Sequence, residues 1–195
     1  DLVEHEHRVA RASFLQAGDH AAGQGAHVGA AVSAQLGLVV HATQRHAHEG
    51  PAQRRIIDCK RTRASADVAR ALSLRSGDAV LQVRRVLSFA GTPTILEDLW
   101  LPGSPFKGLT AERLSDYHGP MYALFETAFG VRMVRAEEKI KAVAPDDAQC
   151  KLLEIKSHTP LLSVERIAYT YNDTPMELRR GLYRTDTHHY RNALS

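Results

Sequence analysis

Cysteine is nearly missing from this chain: of 195 residues only Cys59 and Cys150 are cysteine, and they belong to no spaced motif. That excludes a disulfide-stapled secreted scaffold and leaves a reducing compartment as the expected setting. Long apolar runs are missing too. No stretch of about 18 apolar residues occurs, and no charged segment leads into a short apolar one, so neither a membrane span nor a secretory signal is expected. The chain is read as cytoplasmic, with no membrane partner. It also lacks a surplus of one charge: the net charge is +3, with acids and bases interspersed over most of its length. Without clustered Lys and Arg there is no phosphate footprint for nucleic acid. Finally, there is no Gly-x-Ser-x-Gly elbow, no nucleophile set beside a base and no Gly-rich phosphate loop, so no catalytic motif is recognisable.

The first third differs in composition from the rest. Residues 1–54 contain no Lys, Ile, Tyr or Trp, yet hold seven of the eleven histidines (His5, His7, His20, His27, His41, His46 and His48). Ala31–Val40 has the composition of a short buried element. The glycines and histidines around it keep no sustained period of 3.6 or 2, so residues 1–57 are expected to be poorly ordered. His5-x-His7 and His46-x-His48 share a face if extended. A metal site needs a third ligand and partners that fix the rings, and neither is identifiable. No metal and no cofactor are therefore expected. Such a Lys-free, Ala/Gly/His/Arg-rich composition is also what a shifted reading frame produces.

What the chain does have is a repeat. Leu72–Pro102 and Leu153–Arg184 align at an offset of 81 residues, laying Leu72 on Leu153, Val83 on Val164, Arg85 on Arg166 and Val86 on Ile167. One extra residue in the turn then sets Thr92-Pro93 on Thr174-Pro175. Each copy reads as a helix followed by a β-hairpin. Two copies predict a duplicated, pseudo-symmetric sheet with a cleft between its halves, and such a cleft suits ligand binding better than chemistry.

Local signals fill in the elements. Ser65 is placed to cap a helix that turns Val68, Ala69 and Leu72 inward and stops at Ser76-Gly77. Ala79–Phe89 alternates with a β period, putting Val83, Arg85 and Leu87 on one face and Arg84 and Val86 on the other. After a turn at Ala90–Pro93, Thr94–Leu101 returns with Ile95, Glu97 and Leu99 on one face. Met121, Leu124, Phe125 and Ala128 make Pro120–Phe129 an amphipathic helix with Pro at N1 and Gly130 as its C-terminal cap. Val131–Val143 reads as a third long strand, and Pro145-Asp146-Asp147 opens another helix before the second hairpin. The expectation is an α+β domain: an antiparallel sheet with helices packed on one side.

Ala69–Leu74, Gly77, Val83–Val86, Gly91-Thr92-Pro93, Glu97 and Leu101-Pro102 begin an ordered set of motifs. It continues through Phe106-x-Gly108-Leu109, Tyr122, Leu124, Gly130 and Ala136-Glu137-Glu138. It closes with Pro160-Leu161-Leu162, Glu165-Arg166, Pro175-Met176-Glu177 and Tyr183-Arg184-Thr185-Asp186. In this order and spacing the set resembles the UTRA effector-binding domain of GntR-family bacterial transcription regulators, in their HutC branch. The resemblance runs over roughly residues 58–192, so residues 58–195 are assigned to that domain and residues 1–57 to an atypical N-terminal segment. It implies a chorismate-lyase-like, duplicated fold. It also implies a homodimer that binds a small, often anionic, effector and thereby changes the spacing of two N-terminal winged-helix heads on DNA. Residues 1–57 hold no recognisable Ser-Arg-x-Thr-Val-Arg recognition helix and no Gly-rich wing, so DNA would be a partner only through a head not seen in this chain.

Candidate ligand residues follow from both lines of reading. Arg85 lies mid-strand on a face that otherwise reads as core, where a guanidinium must meet a carboxylate or a ligand anion. Arg166 is its counterpart in the second copy. The resemblance implies an arginine on the effector's anionic group at the Arg85 position, and a ligand-facing glutamate at Glu97, which is equally a natural partner for Arg85. Glu177 and Tyr183 share a face, with Arg179 and Gly181 between them, and the resemblance maps an effector-binding Glu and Tyr onto them. Tyr122 follows Pro120-Met121 where relatives that bind phosphosugars carry Ser-Leu-Tyr. The missing hydroxyl and backbone donor favour a carboxylate or less polar effector. Arg132 or Arg135 could supply replacement charge, or simply line a solvated strand edge. The tail Arg184–Arg191 reads as structural, its adjacent histidines pointing to opposite faces. The function expected is that of a small-molecule sensor and not an enzyme. A free-standing ligand-binding module and a chorismate-lyase-like enzyme stand as alternatives.

Overall fold

The computed structural model describes residues 40–42, 53–186 and 188–190. Its elements are β1 (Val40–Ala42), β2 (Gln53–Arg63), α1 (Ala66–Ala71), β3 (Ala79–Phe89), β4 (Thr92–Pro102), α2 (Ala111–Asp116), α3 (Met121–Phe129), β5 (Arg135–Val143), α4 (Asp147–Leu153), β6 (Leu161–Tyr169), a short 3-10 turn (Tyr171–Asp173), β7 (Pro175–Arg184) and β8 (His188–Tyr190). Six strands form one antiparallel sheet in the order β2-β3-β4-β7-β6-β5, while β1 and β8 pair in a separate ribbon.

The duplication is visible in the strand register. The units β2-α1-β3-β4 and β5-α4-β6-β7 meet where β4 and β7 pair. There Asp98 faces Arg180, with Glu97 opposite Gly181 and Leu99 opposite Arg179 on either side. Exchanging the two copies returns the first pair to itself and swaps the other two, so the pseudo-two-fold axis passes through Asp98 and Arg180. One row of residues runs across this axis over all six strands: Asp58, Arg84, Asp98, Arg180, Glu165 and Lys139. Their signs alternate, so each cross-strand neighbour is of opposite charge, which favours this register over any slipped one.

Caps fix the helices where the sequence signals lie. The Ser65 hydroxyl accepts from Val68 N at the start of α1, and Asp146 with Gln149 forms a reciprocal capping box at α4. Gly130, at φ 67°, ends α3 in the left-handed region, while Pro120 occupies the N-cap position instead of N1.

Helices cover both faces of the sheet, which corrects the expectation of one. On one face Val68, Ala69 and Leu72 of α1 pack on Val80 and Leu178, and Leu153 of α4 packs on Val86, Leu96 and Leu161. On the other face Leu114 of α2 and Leu124 and Phe125 of α3 close over Leu81, Val83, Leu99, Leu101 and Phe106. The strand alternation requires this second layer: it leaves Leu81, Val83, Leu99 and Leu101 on the face opposite α1, and those side chains are buried only if something apolar covers them.

Three further details differ from the sequence reading. The sheet begins at Gln53, so residues 53–57, grouped above with the N-terminal segment, belong to edge strand β2; its mixed polar pattern reflects a bulge at Ile56/Asp58 and half-exposed burial. Strand β5 starts only at Arg135, because Val131 and Met133 are buried beneath α3 as irregular chain. Helix α2, capped by Thr110, has no counterpart in the sequence reading, because Leu114 is its one buried residue and leaves no apolar period to read. The histidine pairs at His5/His7 and His46/His48, and Ala31–Val40 apart from Val40 itself, lie outside the described residues. Among the described residues no helix is long and apolar enough to cross a membrane.

Candidate functional site

The sheet face beneath α3 carries charge where an ordinary core would be apolar. Arg85 is 4% exposed, Glu97 1%, Arg166 6% and Glu177 0%. The register explains how four strands deliver them to one place. Arg85 on β3 stands opposite Glu97 on β4, Glu97 stands opposite Gly181 on β7, and two residues along β7 Arg179 stands opposite Arg166 on β6. Arg179 and Glu97 occupy equivalent positions of the two hairpins. The duplicated site has thus acquired opposite charges, and they bond to each other across the pseudo-axis.

The hydrogen bonds form one connected network. Arg85 Nε and Nη2 lie 2.7 and 2.6 Å from Glu97 Oε2. Arg179 Nη1 donates to Glu97 Oε1 at 3.2 Å, while its Nε and Nη2 hold both oxygens of Glu177 at 3.0 and 2.9 Å. The Tyr122 hydroxyl, reaching down from the first turn of α3, donates to Glu177 Oε1 at 2.9 Å, and the Arg179 guanidinium lies 5.7 Å from the centre of its ring. Arg166 is held by Glu138 on β5, with Nε donating to Oε1 at 2.7 Å. Tyr183 is buried at the end of the same row of β7. Its ring lies over Gly181, where a Cβ would come within 2.6 Å of it. Glycine is required there by the space the ring occupies.

Electrostatics follow from burial and pairing. Burial pushes the Glu97 carboxyl up, but Arg179 and Arg85 outweigh it and bring the group down to about 2. Burial works against the Arg179 cation too, and Glu177 and Glu97 hold it well above the ordinary arginine value. Burial, reinforced by the Glu177 charge, raises the Tyr122 hydroxyl, which therefore stays a donor. Tyr183 is likewise raised, by burial first. Chemically, the arrangement pairs guanidiniums that take an anion with carboxylates that accept from hydroxyl or amino groups, between two aromatic walls.

Of the residues singled out in the sequence, Arg85, Glu97, Tyr122 and Glu177 fall in one bonded network, with Arg166 and Tyr183 beside it. Arg135 does not join them. It sits at the start of edge strand β5, bonded to Asp173 and Glu137 and stacked 3.9 Å from the centre of the Tyr169 ring. Arg132 pairs loosely with Glu126 at 3.7 Å. The sequence reading passed over Arg179, the residue that joins both carboxylates, although the alternation Glu177, Arg179, Gly181, Tyr183 already placed it on the same face. A separate surface cavity of about 400 Å³ opens between the end of α1 and the exit of β4 (Leu74, Ala79, Pro102, Ser104, Met176) and touches none of the network residues.

Comparison with known proteins decides the family. Residues 49–189 match the model of the UTRA domain. The chain belongs to the UTRA domain family. The repressor PhnF of Mycolicibacterium smegmatis is 32% identical to this chain over 119 residues, 61% of this chain and 48% of the relative. Among solved structures, the ligand-binding domain of a protein described as a GntR-family transcriptional regulator from Bordetella bronchiseptica is 50% identical. It superposes with a TM-score of 0.77, covering 82% of this chain and 98% of that one. The crystal structure of PhnF superposes with a TM-score of 0.67 at 29% identity, over 74% of this chain and 63% of that one. The UTRA chain described here spans about half the length of the curated relatives it matches. Its relatives and neighbours are GntR-family transcription regulators, and its α+β antiparallel sheet is that of their effector-binding domains.

Proposed function

We propose that this UTRA domain is the effector sensor of a GntR/HutC-type transcription repressor, and that its effector is a small anionic metabolite held on the Arg85–Glu97–Arg179–Glu177 network. Tyr122 and Tyr183 serve as walls, and Arg166 completes the positive field. The observation that carries this reading is the buried network itself. A set of buried charges contributes less to stability than well-packed apolar residues of similar volume, which are often neutral or better replacements. A sheet with four such side chains on the face under α3 is therefore poorly explained by folding alone, and well explained by recognition of a charged, hydroxylated or amino-bearing ligand. The named repressors among the relatives support the regulatory role.

The domain acts as a homodimer. The effector binds one arrangement of the two copies better than the other and shifts their populations, which attached winged-helix heads report as changed operator affinity. DNA is thus a partner through such a head, and the protein works in the cytoplasm. It is read as a regulator and not an enzyme because its named relatives are transcription repressors.

A thermal-shift screen of small acids tests the reading. An acid that raises the melting temperature of the wild type saturably, and does so far less in Arg85→Gln, supports it. Conversion of chorismate to pyruvate by the purified chain would overturn it in favour of an enzyme.

A further inference from the structure

One more cation lies on the charged face, and no carboxylate meets it among the described residues. In the β2–β3 pair Ile56 stands opposite Arg85 and Arg54 opposite Leu87, so Arg54 projects to the same face as Arg85, one diagonal step away. Its terminal nitrogens donate only to main-chain carbonyls of the segment leading into α3. Nη1 reaches Leu114 O at 3.2 Å and Tyr117 O at 2.9 Å, and Nη2 reaches Gly119 O at 3.1 Å. Its Nε is buried and has no partner. Close by, Arg85 Nη1 spends its donor on the thioether of Met121, at 3.2 Å, a weak acceptor. Burial and then the charge of Arg85 push the Arg54 pKa down, and the Glu97 charge, already bonded to Arg85 and Arg179, offsets them only in part.

Counting the face makes the same point. Glu97, Glu177 and Glu138 answer Arg85, Arg179 and Arg166, and Arg54 is left over. Beside Arg85 the surplus is the single positive charge of Arg54; Arg61, farther along β2 on the same face, is solvent-exposed and donates to the carbonyls of Gly103 and Phe106. The Arg54 charge lies beside the start of α3, with one buried donor unpaired and a second poorly paired.

Resting on the reading above, we propose that Arg54 is the anchor of the effector's anionic group, and that this group is a single carboxylate bound between Arg54 Nε and Arg85 Nη1. A monoanion balances the face, whereas a phosphate dianion would overcharge it. Pro120 moreover supplies neither the hydroxyl nor the N–H that a phosphoryl group would use. Because the same guanidinium holds the carbonyls of Leu114, Tyr117 and Gly119, ligand binding at Nε would also tighten the segment that roofs the site.

The test is a thermal-shift titration of the full chain at constant ionic strength, replacing chloride stepwise with acetate, benzoate or inorganic phosphate. Wild type, Arg54→Gln, Arg54→Lys and the remote, exposed control Arg75→Gln are compared. Acetate or benzoate is expected to raise the wild-type and Arg75→Gln melting temperatures saturably. The half-saturating concentration should rise about tenfold or more in Arg54→Gln, the loss of one charge-assisted hydrogen bond, with partial recovery in Arg54→Lys. If Arg54→Gln melts lower in chloride but keeps the wild-type half-saturation, Arg54 is only a structural clamp and the proposal is overturned. Saturation by phosphate alone overturns the carboxylate assignment. No saturable response in the wild type removes the anion-site reading itself, and this inference with it. Should Arg54→Gln fail to fold, Arg54→Lys decides: an unchanged half-saturation would count against the Nε contact.

Discussion

Replacing Glu97 by Gln keeps its shape and removes its charge, and the structure sets the size of the effect. Glu97 is 1% exposed and accepts from both Arg85 and Arg179. Its carboxyl falls from an ordinary 4.5 to about 2. At about 1.4 kcal/mol for each tenfold change in acidity, that difference is worth about 3 kcal/mol at neutral pH. An independent argument gives the same size: leaving a buried partner uncompensated costs about 3–5 kcal/mol. The sign is set by the lowered pKa. The stabilisation is fully present above about pH 4.5, where the unfolded carboxyl also ionises, and is lost as pH falls toward 2. Glu97→Gln, which resembles the protonated acid, should therefore be about 3 kcal/mol less stable than the wild type at pH 7, with more than half of that gap closed by about pH 3. The single tryptophan, Trp100 on β4, reports unfolding of the central sheet. Urea titrations of both proteins by its fluorescence at pH 7, 5, 4 and 3 measure the gap. A gap below about 1 kcal/mol at pH 7, or one that stays constant down to pH 3, would refute the reasoning.

Other substitutions separate structural from ligand-facing roles. Tyr122→Phe leaves one oxygen of the fully buried Glu177 a donor short and should cost about 1–3 kcal/mol in urea unfolding, with weaker effector binding by calorimetry. Gly181→Ala places a Cβ against the Tyr183 ring. It should destabilise by about 1–3 kcal/mol and change the near-ultraviolet tyrosine signal as the ring moves. Phe125→Ala empties the centre of the α3 core and should cost about 3–5 kcal/mol by the same urea assay. Arg135→Ala breaks only partly exposed pairs at the edge of β5, and should change stability by less than about 1 kcal/mol.

The two hairpins were legible because they state their structure twice. The equivalence of Arg85 with Arg166 and the turn at Thr92/Thr174 come from sequence alone, and the two-fold register at Asp98–Arg180 is their consequence. Strands β3 and β4 are legible for a second reason: their alternation is clean, and it puts Arg85 and Glu97 on one face. What escaped the reading lacked such signals. Strand β2 is an edge strand, half-solvated and interrupted by a bulge, so its polar pattern resembles a loop. Arg54 went unnoticed with it. Helix α2 buries only Leu114 and so shows no apolar period. The second helical layer followed from burial demand on a face whose apolar residues are spread over two strands, a property of the pairing that no single window contains. Arg179 was visible by parity yet unremarkable by type, since its importance rests on reaching carboxylates that lie 82 and 2 residues away in sequence.

The central claim is that the buried Arg–Glu network under α3 is a binding site for a small organic acid. It is tested most directly by titrating a panel of small carboxylic acids into the wild type and Arg85→Gln by isothermal calorimetry. The account predicts at least one acid that binds the wild type with a saturable heat at one site per chain, and binds Arg85→Gln about a hundredfold or more weakly, as expected when a buried charge-assisted contact is removed. Equal affinity for the two proteins, or saturable binding that Arg85→Gln leaves intact while Glu97→Gln still unfolds easily, would contradict it and leave the network as part of the fold alone.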